Sequence, residues 1–293
     1  DEANRLIGGT RIDRSSVEDL RAGKTTSGTE ERDTLKAGFL RWERALAAGK
    51  TLYAGIGHSE RAADYWERNK NPEAISMMMT GSASTFSLAP EKTTQLDLGA
   101  LHRAGPVQGS VSLFYAKHQD YILIEQLPGV SSFASNARNI DATTYGLESD
   151  VSYQFSARWK GTASLAWVHG DNDTDDTPLA QMPPLEGRLG LEYDTGTWSA
   201  GALWRLVSGQ HRVDIGAGNV VGQDIGTTAG FGVFSINAGY RLRKDTLVSA
   251  GIDNVFDKTY AEHISRSGAL INGYEQTTRV NEPGRTFWLK ARL

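Results

Sequence analysis

The chain of 293 residues contains no cysteine. It therefore has no disulfide, and the absence of a stray thiol is compatible with export to an oxidising compartment. It also lacks any run approaching the ~20 apolar residues that a spanning helix needs. With a mean hydropathy of −0.41, a helical membrane protein is excluded. A transmembrane barrel is not, because each of its strands is only half apolar. Catalytic signatures are missing too. There is no G-x-S-x-G elbow, no P-loop and no dinucleotide fingerprint. The six histidines form neither an H-E-x-x-H motif nor a close pair. Neither an enzyme nor a resident cofactor is expected. The net charge of −4 does not suggest nucleic acid as a partner.

What the sequence does have is alternation. Near the C-terminus, Val248, Ala250, Ile252 and Phe256 share one parity, interrupted by Asn254, while Ser249, Gly251 and Asp253 take the other. This is a strand with one apolar and one polar face. Glu282-Pro-Gly284 reads as a turn, and Phe287, Leu289 and Ala291 then alternate with Thr286, Trp288 and Lys290. The pattern recurs along the chain. Leu52, Ala54 and Ile56 form one apolar face. Leu96 and Leu98 stand against Gln95 and Asp97, and Leu113 and Tyr115 against Ser112 and His118. Tyr145, Leu147, Val151 and Tyr153 oppose Thr144, Glu148, Asp150 and Ser152. Counting such segments gives about twelve strands, at the ~9–11 residues a tilted membrane strand requires. In the second strand, Leu35, Ala37 and Phe39 fit one face while Leu40, Trp42 and Leu46 fit the other, which predicts a β-bulge.

The connections also alternate. Short ones are expected at 47–50, 104–106, 156–158, 194–197 and 243–245. Long ones are expected at 15–32, 59–89, 125–141, 170–184, 208–229 and 261–284, with Glu60–Arg68 forming a short helix. Short periplasmic turns alternating with long outer loops are the pattern of an outer-membrane barrel. Arg188 and Arg205 sit mid-strand on the polar face. Facing lipid at the midplane, such a residue would cost about 2–4 kcal/mol, so that face is assigned to the lumen.

The run "GIDNVFDKTYAEH" (251–263) followed by "NEPGRTFWLK" (281–290) resembles the C-terminal end of a TonB-dependent outer-membrane receptor. "PEKTTQLDLGALHR" (90–103), "VSLFYAKHQDYILI" (111–124), "GNVVGQDIG" (218–226) and "GFGVFSINAGYRL" (230–242) bring the resemblance closest to the TonB-dependent copper receptors. It covers nearly everything from about Tyr53 onward. It implies an all-β antiparallel transmembrane β-barrel, with residues 1–293 supplying about twelve C-terminal strands of a 22-stranded plugged barrel. No signal peptide or plug is recognised in these residues, so the chain reads as part of a longer protein. The implied function is TonB-dependent uptake of a scarce nutrient, copper, across the outer membrane of a Gram-negative bacterium. The implied partners are TonB, contacted through the N-terminal part, outer-membrane lipid and lipopolysaccharide, and a metal or metal-chelate substrate. A siderophore receptor is the alternative within the family. A structural or adhesin barrel and a barrel hydrolase are the alternatives outside it.

Two stretches carry candidate metal chemistry. Met77-Met78-Met79 falls in the long loop at 59–89, and thioether sulfur is a soft ligand that selects Cu(I). Methionine also packs loops, and three adjacent thioethers cannot all point one way on an extended chain. His58, near the outer end of the third strand, is the nearest nitrogen in sequence. Asp171–Asp176 resembles the start of a calcium loop, but it lacks the glycine at position six and the glutamate at position twelve, where Met182 stands.

Overall fold

The computed structural model describes residues 3–24, 26–46, 49–69, 86–126, 135–219, 222–267, 272–273 and 277–292. Among them is one antiparallel sheet of 14 strands. The strands are β1 (Asn4–Glu18), β2 (Glu30–Leu46), β3 (Lys50–Arg61), β4 (Glu91–Ala104), β5 (Val107–Gln126), β6 (Ser135–Gln154) and β7 (Trp159–Asn172). Then follow β8 (Thr177–Pro178), β9 (Glu186–Asp194), β10 (Trp198–Val207), β11 (Ala217–Gly218), β12 (Phe231–Arg241), β13 (Leu247–Asp253) and β14 (Thr286–Arg292). The two-residue strands β8 and β11 lie off the main path, and the other twelve follow one another in sequence order as a meander. β1 and β14 are its edges.

The expected parity holds across the sheet. Leu6 pairs with Trp42, Trp42 with Ala54, Ala54 with Leu98, Leu98 with Leu113, and Leu113 with Leu147. An apolar row thus crosses six strands, and its large side chains, from Leu6 to Leu113, are exposed. Exposed leucines are costly in water, and burial of each in lipid contributes about 1.5–3 kcal/mol. Two aromatic girdles bound this band. The lower one contains Tyr153 against Phe155, Trp159 against Tyr193 and Trp198 against Tyr240, with ring centroids 4.7, 4.8 and 4.2 Å apart. The upper one contains Tyr145 against Trp167 at 5.8 Å and Phe234 against Phe256 at 5.9 Å. Tyr145 and Tyr153 lie on one strand, about 26 Å apart at ~3.3 Å per residue. At the ~35–45° tilt of a membrane barrel this separates the girdles by about 20 Å, within the ~25 Å apolar band. Among the described residues no helix is long and apolar enough to cross a membrane.

The chain departs from the sequence expectation in three places. Strand β2 has no bulge: its register runs unbroken against β1 from Asn4↔Arg44 to Glu18↔Glu30, and against β3 from Ala37↔Ser59 to Leu46↔Lys50. Leu35, Ala37 and Phe39 therefore share the lumen face with Arg41 and Glu43. The register shift lies instead between His118 and Tyr121, where Asp120 takes φ 56°. Second, β5 and β6 are 20 residues each, so residues 125–126 and 135–141 of the loop expected at 125–141 are strand. At ~3.3 Å per residue this hairpin stands far above the apolar band. Third, the helix is a single turn, α1 (Tyr65–Arg68), begun by an Asp64–Glu67 capping box.

The water-excluding core sits in the extracellular crown built on this hairpin. Leu123, Ile140, Ala142, Leu179, Ala180 and Ala217 form one buried cluster, and Ile122, Ile124, Ala137, Ala63 and Leu88 another. Strand β11 pairs with β5 through Ala217↔Glu125, tying the loop after β10 to the hairpin.

Candidate functional site

The lumen wall is charged and cross-linked. Arg41 and Arg5 both bind Glu43, at 2.8 and 2.5 Å, and Arg41 also lies 3.9 Å over the Tyr53 ring. Further along the sheet, Arg205 bridges Glu186 at 2.6 Å and Glu262 at 2.5 Å, and Arg188 shares Glu186. Inward-facing ion pairs are stable here because lumen water still screens and solvates them. They give the wall a polar surface.

The crown is held by a second set of pairs. Arg138 of β6 takes Glu125 at 2.7 Å and Asp175 at 2.5 Å. The guanidinium of Arg138 holds the Asp175 carboxyl below the usual carboxylate range. Buried Asp224 accepts from the backbone of Gln181 and Asp214 and lies 3.3 Å from His263 Nε2. Arg279 closes this cluster with hydrogen bonds to the carbonyls of Gly226, Thr227 and His263. Burial, with the charge of Glu125 adding to it, pushes the Asp214 carboxyl up. Most of these contacts are not visible in sequence, because they join segments far apart along the chain, as Arg138–Asp175, Gln181–Asp224 and Arg279–Gly226 do.

Met77, Met78 and Met79 lie outside the described residues. His58 stands on the parity of Leu52 and Ile56, so its ring is on the outer face at the extracellular end of β3. Its Nδ1 is 2.9 Å from Thr94 Oγ1 and its Nε2 3.3 Å from Glu60 Oε1. Metal binding by His58 would require it to give up one of these partners. His102 and His169 share the outer parity, whereas His118 faces the lumen, as its place in the alternation implied. In the Asp171–Asp176 loop the carboxylates diverge. Asp171 binds Arg212, Asp173 binds the Thr143 hydroxyl and Asp175 binds Arg138. Among the described residues no group of three or more His, Asp or Glu side chains could hold a metal ion.

A twelve-strand meander with a lipid-facing apolar band, two aromatic girdles, a charged lumen and a tall crown on the long-loop side is an outer-membrane receptor barrel in construction. The family profile described as TonB dependent receptor-like, beta-barrel matches residues 2–255, and the chain belongs to that family. Its members are receptors that transport, not enzymes. Among solved structures, the copper transporter OprC superposes with a TM-score of 0.91 at 44% identity, over 99% of this chain and 47% of that one. The ferric-catecholate import receptor Fiu from K12 E. coli superposes at 0.68 with 17% identity, over 99% of this chain and 42% of that one. The ferric enterobactin receptor PirA of Pseudomonas aeruginosa is 21% identical over 277 residues, which is 85% of this chain and 36% of that protein. The chain thus spans between a third and a half of the relatives it matches.

Proposed function

We propose that this chain supplies the C-terminal strands and outer loops of a plugged outer-membrane receptor that takes up copper in a TonB-dependent manner. The observation that carries the substrate is the gap in identity. It is 44% to a copper transporter over nearly the whole chain, against 17% to an iron-chelate receptor of the same fold. On this reading the remainder of the protein holds the plug and the segment that contacts TonB. The outer face meets lipid and lipopolysaccharide. The Met77-Met78-Met79 loop offers thioether sulfur to Cu(I) at the extracellular mouth, and His58, at the outer end of β3, is the nearest imidazole in sequence. Thioether and imidazole suit Cu(I) better than the carboxylates around them.

Uptake of a ferric siderophore is the second reading, favoured by the similarity to PirA. Binding to the purified full-length receptor separates the two. The copper reading expects tight Cu(I) binding and none of ferric catecholates. Changing Met77, Met78 and Met79 together to Leu keeps apolar bulk and removes sulfur. Weakened Cu(I) binding with an intact barrel assigns the loop to the metal path, and unchanged binding assigns it to packing. Tight binding of a ferric chelate, with none of Cu(I), would replace the copper reading by the siderophore one.

A further inference from the structure

From the level of the upper girdle downward, the lumen face of β5, β6, β7 and β9 carries a cavity of about 600 Å³ roofed by Met182, Pro183 and Pro184. Its floor follows from the register. Thr144 on β6 pairs with Ala116 on β5 and with Gly170 on β7. His118, one step up β5 on the same face, places Nε2 2.9 Å from Thr144 Oγ1 and Nδ1 3.0 Å from Thr93 Oγ1. On the other side of Thr144, Gly170 has no side chain, and Met182 fills the space: a Cβ at position 170 would stand 2.6 Å from Met182 Sδ. An imidazole and a thioether thus flank one threonine on the wall that a solute entering from the crown meets.

The two Thr hydroxyls hold both nitrogens of the imidazole, and because a hydroxyl donates or accepts they fit either tautomer. In the tautomer with Nδ1–H donating to Thr93 Oγ1, Nε2 is the acceptor on the Thr144 side of the cavity. A hydrogen-bond acceptor on one ring nitrogen leaves the other free to ligate, and the Thr93 hydroxyl can serve as that acceptor. The Thr144 hydroxyl is a weak, exchangeable partner for Nε2. Met182 is unbranched with three rotatable bonds, so its sulfur is adjustable, and it lines the same cavity as His118. Below this level the cavity becomes apolar at Phe114, which lies over Gly146, and then charged at Glu148, Glu186 and Arg188. The soft donors are therefore confined to the upper end.

We propose that His118 Nε2 and Met182 Sδ form a binding site for a soft monovalent cation, Cu(I), on the lumen wall. The site rests on the copper reading above and extends it from the loops to the barrel. Imidazole nitrogen with thioether sulfur is a donor pair that holds Cu(I) and leaves Ca²⁺ or Mg²⁺ to the carboxylates. The competing role for Met182 is packing, since it lies against the cluster of Leu179 and Ala180. Leucine would serve that role as well.

The test is Cu(I) stoichiometry of the purified full-length receptor, measured in competition with a chromophoric Cu(I) chelator, together with X-ray absorption at the copper edge. Met182→Leu and His118→Gln are each expected to lose the same one equivalent of Cu(I), and the double variant no more than one. Met182→Cys, which keeps a soft sulfur, is expected to retain it. Unchanged stoichiometry in Met182→Leu and His118→Gln overturns the site. So does loss of the ion in Met182→Cys as well as Met182→Leu, which would trace the effect to packing. If the wild-type receptor binds no Cu(I), the site falls together with the copper reading. Wild-type binding with unaffected variants removes the site alone.

Discussion

Val111 and Ser110 are neighbours on β5 at nearly the same depth, and the parity assignment gives them opposite surroundings. Val111 is exposed on the apolar face, between Ala100 of β4 and Ser149 of β6. Ser110 faces the lumen, where its hydroxyl donates to Asp150 Oδ1. An arginine at 111 would stand in hydrocarbon about midway between the girdles, at a cost of about 2–4 kcal/mol. At 110 it would stand in lumen water beside the Asp150 carboxylate. There it exchanges a charge-assisted hydrogen bond to Asp150 for an ion pair with the same carboxylate, so the net change is small. The two substitutions should therefore differ by about 2–3 kcal/mol, roughly 30- to 150-fold in the folding equilibrium. Denaturant unfolding of the full-length receptor in lipid bilayers, with Val111→Arg and Ser110→Arg compared, reads this difference. Equal destabilisation, or a larger effect at Ser110, would show the face assignment to be reversed.

Asn254 is buried at φ 52° and bonds both the carbonyl and the amide of Lys258 at 2.8 Å. Asn254→Ala should cost about 2–4 kcal/mol, with Asn254→Gly cheaper because glycine accepts the backbone angle; limited proteolysis of the 254–285 segment would show it as faster nicking. Asp64→Ala removes the cap of α1 and should raise amide exchange at Glu67, consistent with a loss of about 1 kcal/mol of local stability, while the barrel melts unchanged. Asp214 has a raised pKa, so the packed crown binds its proton more tightly than the unfolded loop does. Its contribution to crown stability is thus fully present below the ordinary carboxylate pKa of about 3.9 and is lost as pH rises through the folded value. Asp214→Asn should remove that part of the pH dependence of exchange in the loop after β10, and an unaltered profile would assign it elsewhere. Asp175 runs the other way. Its pKa is lowered, so its stabilising pair with Arg138 is present at neutral pH and lost as pH falls below the ordinary carboxylate range.

The membrane part of the fold is legible because lipid enforces it: the outward positions between the girdles are predominantly apolar, with small exceptions such as Ser149, and period-two counting finds them. The failures lie where that constraint ends. Leu35, Ala37 and Phe39 read as a change of face, yet the register of β2 is unbroken, because a lumen wall tolerates apolar side chains that a lipid face would demand. The true shift at Asp120 lies in a polar stretch, Lys117–Asp120, where slipping by one residue leaves no hydrophobic trace. Residues 125–126 of β5 and 135–141 of β6 read as loop in the sequence because above the membrane both faces meet water or crown. His58 could have been placed from sequence, since it continues the parity of Leu52, Ala54 and Ile56. The meeting of His118 with Met182 could not, because it depends on a glycine on β7 and a loop folded back over it.

The most direct test of the receptor's assignment is copper accumulation in living cells. Under copper limitation, cells expressing the full-length receptor should accumulate copper faster than cells lacking it, and the difference should vanish when TonB is removed. Copper accumulation indifferent to both the receptor and TonB, alongside receptor-dependent growth on a ferric chelate, would contradict the account.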